Sequence, residues 1–489
     1  MKNKMLLTLA LGLAAGASSL MAGTVDVYIT GSTAFRANVY TACTKLYNTS
    51  VTNPVIAFGD INDGGDGNQN SKTPVWVMSG TPIVQLTNIS GNTLVIHGNF
   101  TGSVQGIQTV ESYTKLNWAA LLTSPTNGNY ASSYVQKAPT IGFSDASASV
   151  TPYASPAYAH SVNTVEENVC VQPFVMVKST GSGNAINIMT NINNVSWEQL
   201  EYGIPQGRIP LSAWTYKQAD TNTWIYLCQR TLDSGTRRCE TAGEYYQFGD
   251  TCQTYIYDYT NNNWYLPTAT NTIAVVGIAG LKYGSAPYGM IGTEGPGYQN
   301  ANCNWGYGWI GGGDIKNSLN LNSSTGNTTS NNTAIAYMSI GDAQGVGSAN
   351  WANVVSFNGF WPTTAGANIR SNLVTSAGFT GAATNDFSPI INGYYPCWGN
   401  EVLVALVDPT KPGDQNISAT QLGENTWADQ GSFLGVFNAQ TLIYTNLSAP
   451  LVGSIENEIE LSKTNLATGI RLSEMKSNRG TVGGTIAPF

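Results

Sequence analysis

The chain has 489 residues, a formal net charge of −8 and only 10% charged side chains. No basic stripe runs along it that would neutralise a phosphodiester backbone, so nucleic acid is excluded as an expected partner. With 42% hydrophobic residues it can fill more than one average core, and two lobes are the natural reading.

Residues Met1 to Ala22 have the three parts of a signal peptide. Lys2 and Lys4 precede an apolar stretch from Met5 to about Ala15, and Ala15, Ala17 and Ala22 mark small-residue cleavage points. Export to the periplasm or the extracellular space is predicted. No cysteine follows the leader closely and no later apolar run is long enough to cross a bilayer, so neither a lipid anchor nor a membrane span is expected.

Val25 to Thr30 alternates β-formers and runs into Gly31-Ser32. Phe35, Val39, Ala42 and Leu46 then recur at three- and four-residue steps, which predicts an amphipathic helix with Ser32 or Thr33 as its N-cap. Such a helix start has unpaired N–H groups and the positive end of a dipole, and it can hold an anion without a basic side chain. Plain capping is the other reading. Thr93 to Phe100 followed by Gly102-Ser103 repeats the layout, with Ser103 capping a helix toward Tyr113.

Pro139 to Ser144 reads as a short strand that delivers Ser144 and Asp145 at its end. A carboxylate suits an anion site only if the anion carries a proton, because it accepts that hydrogen bond and repels a fully ionised guest; taken alone, Asp145 also reads as a solvated turn residue or a helix N-cap. Trp224 to Leu227 is a further strand leading into Arg230 and Ser234-Gly235-Thr236. A guanidinium grips two oxygens of an oxyanion, and a Ser-Gly-Thr turn aims hydroxyls and N–H groups at the rest. An exposed turn with a surface arginine is the alternative for that run in isolation.

Seven cysteines, Cys43, Cys170, Cys228, Cys239, Cys252, Cys303 and Cys397, permit disulfides in an exported chain and leave an odd thiol. Cys239 with Cys252 is the preferred pair. A metal site is not expected, since no CxxC occurs and only His97 and His160 are present. Three segments read as insertions: Asp60 to Ser71, Gly243 to Trp309 and Asn317 to Asn332. Asp60, Asp63 and Asp66 form a solvated turn cluster rather than a calcium loop, because no glutamate closes the loop. Gly311-Gly312-Gly313 reads as a flexible turn, and Trp305, Tyr307 and Trp309 either stack on sugars or pack in a β-rich extension.

In order, Gly31-Ser32-Thr33-Ala34-Phe35, Gly102-Ser103, Ile141-Gly142-Phe143-Ser144-Asp145-Ala146 and Arg230 with Ser234-Gly235-Thr236 resemble the periplasmic phosphate-binding proteins of ABC importers. Asn194 to Leu200 with Gly203 and Trp214, Thr333 to Ser339, and Ile391 to Pro396 resemble further parts of that family. Arg36, where a small turn-former is expected, and the lack of a glycine-rich sequence after Ser103 depart from its pattern. The resemblance implies an α/β, two-lobed type II periplasmic-binding-protein-like fold. Each lobe would be a mixed sheet flanked by helices, with irregular or β-rich insertions in the second.

It further implies lobe 1 over 23–170, lobe 2 over 171–397 with insertions around 243–332, and a return to lobe 1 over 398–489. The crossings would fall near Asn168 to Val177 and Tyr395 to Leu403. By the same resemblance, Ala34 and Phe35 are backbone donors and Thr33 and Ser103 hydroxyl donors to inorganic phosphate. Asp145 accepts its proton, Arg230 is the charged clamp, and Ser234, Gly235 and Thr236 complete the cage beside Ser32 and Ser144. An inner-membrane ABC permease is the implied partner, a monomer the expected state, and no cofactor or catalysis is expected. A secreted surface protein on the same scaffold is the first alternative. A serine hydrolase built on Ser144 with His97 or His160 is the second, and it lacks the final glycine of a nucleophile elbow.

Overall fold

The computed structural model describes residues 24–51, 53–59, 75–84, 86, 92–100, 102–111, 115–121, 129–131, 134–137, 139–148, 151, 164–181, 183–230, 234–243, 253–258, 262–265, 283–284, 308–309, 311–321, 331–343, 345–347, 353–363, 387–406, 470–471, 474–479 and 486–488. The signal peptide, the Asp60 to Ser71 loop, His160, Cys252, Cys303, Trp305 and Tyr307 lie outside them.

Alternating and apolar runs give strands β1 (Thr24–Gly31), β2 (Val55–Gly59), β3 (Val75–Gly80), β4 (Thr93–Asn99), β5 (Asn129–Ala131) and β6 (Ile141–Ser144). They are followed by β7 (Thr164–Lys178), β8 (Arg208–Pro210), β9 (Trp224–Cys228), β10 (Ala334–Ser339), β11 (Trp398–Leu406) and β12 (Ile470–Arg471). They belong to one mixed sheet with the order β8-β9-β10-β7-β11-β6-β1-β4-β3-β2-β5, to which β12 adds along β7. β1 lies parallel to β4 and β6, whereas the long β11 runs antiparallel to both β6 and β7. The α/β class and the strands expected near 25, 93, 139, 224 and 333 are therefore present.

Two large apolar clusters flank this sheet. One collects Val27, Ile29, Phe35, Val39, Leu46, Phe143 and Leu403, and the other Phe174, Val175, Leu200, Ile225, Trp309 and Ile335. Helix α1 (Arg36–Thr44) joins the first through its predicted stripe, with Phe35, Val39, Ala42 and Leu46 all fully buried. Each large side chain of that stripe contributes roughly 1.5–3 kcal/mol by leaving water. The helix starts later than the sequence implies: its N-cap is Phe35, without a side-chain cap bond. The cause is a contact with a distant strand, since Ser32 N donates to Phe143 O at 2.7 Å while Phe35 N donates to Ser32 Oγ at 3.2 Å. Those bonds hold Ser32 beside β6 as the start of a turn, so it cannot serve as the cap.

Helix α2 (Ser103–Glu111) buries Val104, Ile107 and Val110. Helix α3 (Trp197–Gln206) carries a capping box, in which Ser196 Oγ accepts from Gln199 N and Gln199 Oε1 accepts from Ser196 N. Helices α4 (Gly235–Gly243) and α5 (Gly312–Leu319) follow. The glycine triplet at 311–313 is thus a helix start rather than a flexible turn, with Gly311 N bonded to Asp314 Oδ2 at 2.9 Å. No helix among the described residues is long and apolar enough to cross a membrane.

Candidate functional site

The ends of β1 and β6 and the starts of α2 and α4 meet at one place because glycine lets their backbones touch. Gly31, at φ +121°, lies so close to β6 that a Cβ there would sit 1.9 Å from Phe143 O. Gly102 N donates to Gly31 O at 3.1 Å, which brings α2 down onto the β1 loop. Gly235 repeats the device on α4, where a Cβ would fall 2.7 Å from Ser103 Oγ and 2.9 Å from Asp145 Cγ. Gly235→Ala is expected to lower stability by about 1–3 kcal/mol, since overpacking must push α4 off Ser103 and Asp145. Thermal unfolding checks it, and an unchanged Tm would mean that these loops part freely.

Asp145 is the centre of this meeting point and is almost wholly buried. Its Oδ1 accepts from Ser103 Oγ in a very short hydrogen bond, and its Oδ2 accepts from Thr236 Oγ1 at 3.0 Å. Cys239 Sγ donates to the Asp145 carbonyl at 2.9 Å. Ser103 opens α2 and Thr236 lies in the first turn of α4, so two helix N-termini address one carboxylate. Ser234 caps α4, its Oγ accepting from Arg237 N at 3.4 Å.

Arg230 follows β9 and is buried. Its Nε donates to Trp309 O at 3.2 Å and its Nη2 reaches Thr33 Oγ1 at 3.5 Å. Trp309 N donates in turn to Gln229 O at 2.9 Å, which stitches residues 308–309 alongside the end of β9. Arg237 Nη1 donates to Arg230 O at 2.8 Å, so the run from Arg230 to Ser234 is fixed at both ends while residues 231–233 lie outside the described set. Glu240, one turn further along α4, is buried and pushed up to about 8 by burial, with the Arg237 charge opposing.

Of the residues singled out in the sequence, Ser103, Asp145, Gly235 and Thr236 are in mutual contact, and Thr33 touches Arg230. Thr33 and Ala34 are half-buried beside them. The Phe35 N–H differs from its expected role, because Ser32 Oγ already accepts it. Ser144 Oγ is turned away, donating to Ala146 O at 2.5 Å. His97 is engaged elsewhere: it stacks on Tyr28, with Nδ1 against Ala119 O at 2.9 Å and Nε2 against Asp26 Oδ1 at 3.3 Å. It does not serve Ser144 as a base.

Trp309 is fully buried, which assigns it to packing and removes it from any sugar-stacking surface. Cys239 is buried at the site, and its expected partner Cys252 lies outside the described residues. Sequence reasoning missed the Trp309 carbonyl, Arg237, and Glu401 of β11. The last had a readable signal: a lone acid inside the apolar run 398–406.

No family model matches the chain, and no curated protein matches it. Solved structures resemble it at low identity. A Clostridium perfringens protein described as a phosphate ABC transporter substrate-binding protein, with bound phosphate, is 11% identical with a TM-score of 0.38, covering 91% of this chain and 99% of its own. An ABC-type phosphate transport receptor from Vibrio cholerae is 12% identical with a TM-score of 0.32, covering 86% of this chain and 98% of its own. PstS from Borrelia burgdorferi is 12% identical with a TM-score of 0.27, covering 86% and 97%.

Proposed function

We propose that this chain is an exported solute-binding protein that captures phosphate, or a similar protonated tetrahedral oxyanion, in a cleft between two lobes and delivers it to an ABC-type permease. The observation that carries the reading is Asp145: a buried carboxylate ringed by the Ser103 and Thr236 hydroxyls at two helix N-termini. An arginine stands on an adjoining loop, touching Thr33. Hydroxyls and helix starts favour an anion, and the carboxylate demands that this anion bring a proton. Ser103 and Thr236 would turn from Asp145 to the guest as it enters, and Arg230 would supply the charge-assisted contact.

The two lobes would be built as the sequence implies, and β7 and β11, which span residues 164–178 and 398–406, are the natural crossings. Closure about them would expel water and strengthen every polar contact to the ion. Asp145→Asn tests the proton rule. The selectivity for phosphate over sulfate is expected to fall roughly 10- to 100-fold, because an amide both donates and accepts and carries no charge. Calorimetric titration of wild type and variant with phosphate, sulfate and molybdate decides it, and a constant selectivity ratio sinks the assignment.

A further inference from the structure

β11 reads Trp398-Gly399-Asn400-Glu401-Val402-Leu403-Val404-Ala405-Leu406. Glu401 is fully buried, and neither carboxyl oxygen has a hydrogen-bond partner among the described residues. An ionised carboxylate removed from water and left without donors is costly enough that such a group keeps its proton. The sheet register places it: Val402 pairs with Ser144 and Leu403 with Phe143 on antiparallel strands, and continuing that register by one residue brings Glu401 toward Asp145, just past the end of β6. Directly opposed residues of an antiparallel pair project to the same face, with Cβ atoms about 4.5–5.5 Å apart. Gly399, two residues back, shares that face; a Cβ there would lie 2.9 Å from Asp145 O and 2.7 Å from Cys239 Sγ. Burial first and the Asp145 charge second hold Glu401 well above the ordinary carboxyl range.

We propose that Asp145 and Glu401 form a carboxyl pair that keeps one proton in the wall of the anion cage, and that uptake of the oxyanion is thereby linked to protons. The proposal rests on the anion-binding reading above and adds Glu401 to it as a specificity-determining residue. With one proton the pair presents a single negative charge, which the neighbouring hydroxyls and helix N-termini offset. With none it presents two, and a tetrahedral anion is repelled.

The sign of the linkage follows. A bound anion favours protonated Glu401, so affinity is full while the pair holds its proton and falls as pH rises through the loss of it. Other ionisable groups lie on the elements packed around the pair. Cys170 on β7 is the register partner of Glu401. α4 brings Cys239 against Gly399 and also carries Arg237, Arg238 and Glu240. α2 carries Glu111 at its far end. β12 sets Arg471 opposite Cys170 along β7. Among them, Asp145 is the charge that acts on Glu401.

The test compares wild type with Glu401→Gln, which keeps shape and removes the titration while leaving Glu240 in both proteins. Inorganic phosphate is titrated calorimetrically between about pH 6 and 10, and the ligand-free proteins are scanned by infrared spectroscopy for an un-ionised carboxyl band. The expected result is affinities within about twofold at the acid end and divergence toward the alkaline end, where wild type loses up to about tenfold more per pH unit than the variant. The acid band should be larger in wild type than in the variant at neutral pH, since Glu240 contributes to both and Glu401 to wild type only.

Parallel affinity curves, or equal acid bands in the two proteins, overturn the proposal. Phosphate binding by neither protein overturns the anion reading and the linkage together, while the band still decides whether the pair holds a proton. If the glutamine variant fails to fold, Glu401→Leu takes its place, since an apolar side chain of similar volume suits a buried carboxyl site.

Discussion

Arg230→Ala is expected to weaken phosphate binding roughly 100- to 1,000-fold, a loss of about 3–4 kcal/mol. The magnitude follows from where the guanidinium stands. It is buried, tied at Nε to the Trp309 carbonyl and within reach of Thr33 at Nη2, so its orientation is set before any ligand arrives. Arg237 holds the Arg230 carbonyl, which keeps the backbone in place when the side chain is removed. The cost is therefore that of an anion left without its clamp in a desolvated site. Arg230→Lys should recover only part of it, because an ammonium cannot form a planar fork. Calorimetry is the measurement, and affinity equal to wild type would reject Arg230 as the clamp.

Gly31→Ala should be the most damaging small substitution in the first cluster, with a loss of about 3–5 kcal/mol. Two independent costs add. A left-handed φ of +121° disfavours any side chain, and the new methyl would overlap the Phe143 carbonyl, a backbone atom that cannot swing aside. Gly106 packs its own backbone on Gly31, a Cβ at Gly106 lying 2.6 Å from Gly31 Cα, so relief toward α2 is also closed. Thermal unfolding followed by circular dichroism reads the effect as a fall in Tm of several degrees. A Tm within one degree of wild type would mean that the β1–β6 contact yields without cost, at odds with its geometry.

Much of this arrangement is legible in the chain because strands and loop chemistry are local. β1, β4, β6 and β9 fall where apolar runs and turn residues place them, β10 falls where the family resemblance implied a strand, and the apolar stripe from Phe35 to Leu46 is buried as its spacing requires. Misreadings arose where a distant partner took a local group or where a short-range bond went unread. Ser32 gave up its capping role because Phe143, more than a hundred residues away, captured its N–H. Gly311 to Gly313 looked flexible until Asp314 bonded back to Gly311. Glu401 acquires its meaning only from the register between β11 and β6, which no local pattern encodes.

The pairing of β7 with β11 shifts between Glu401 and Val402: Cys170 faces Glu401, Asn168 faces Val402, and Val169 is the extra residue. A bulge breaks the ladder and concentrates bend and twist at a single step. The two strands thus change direction at one notch, the extra residue Val169, and do not curve evenly along their length. Because the notch adjoins the buried glutamate, the step that bends the sheet also fixes that side chain's surroundings.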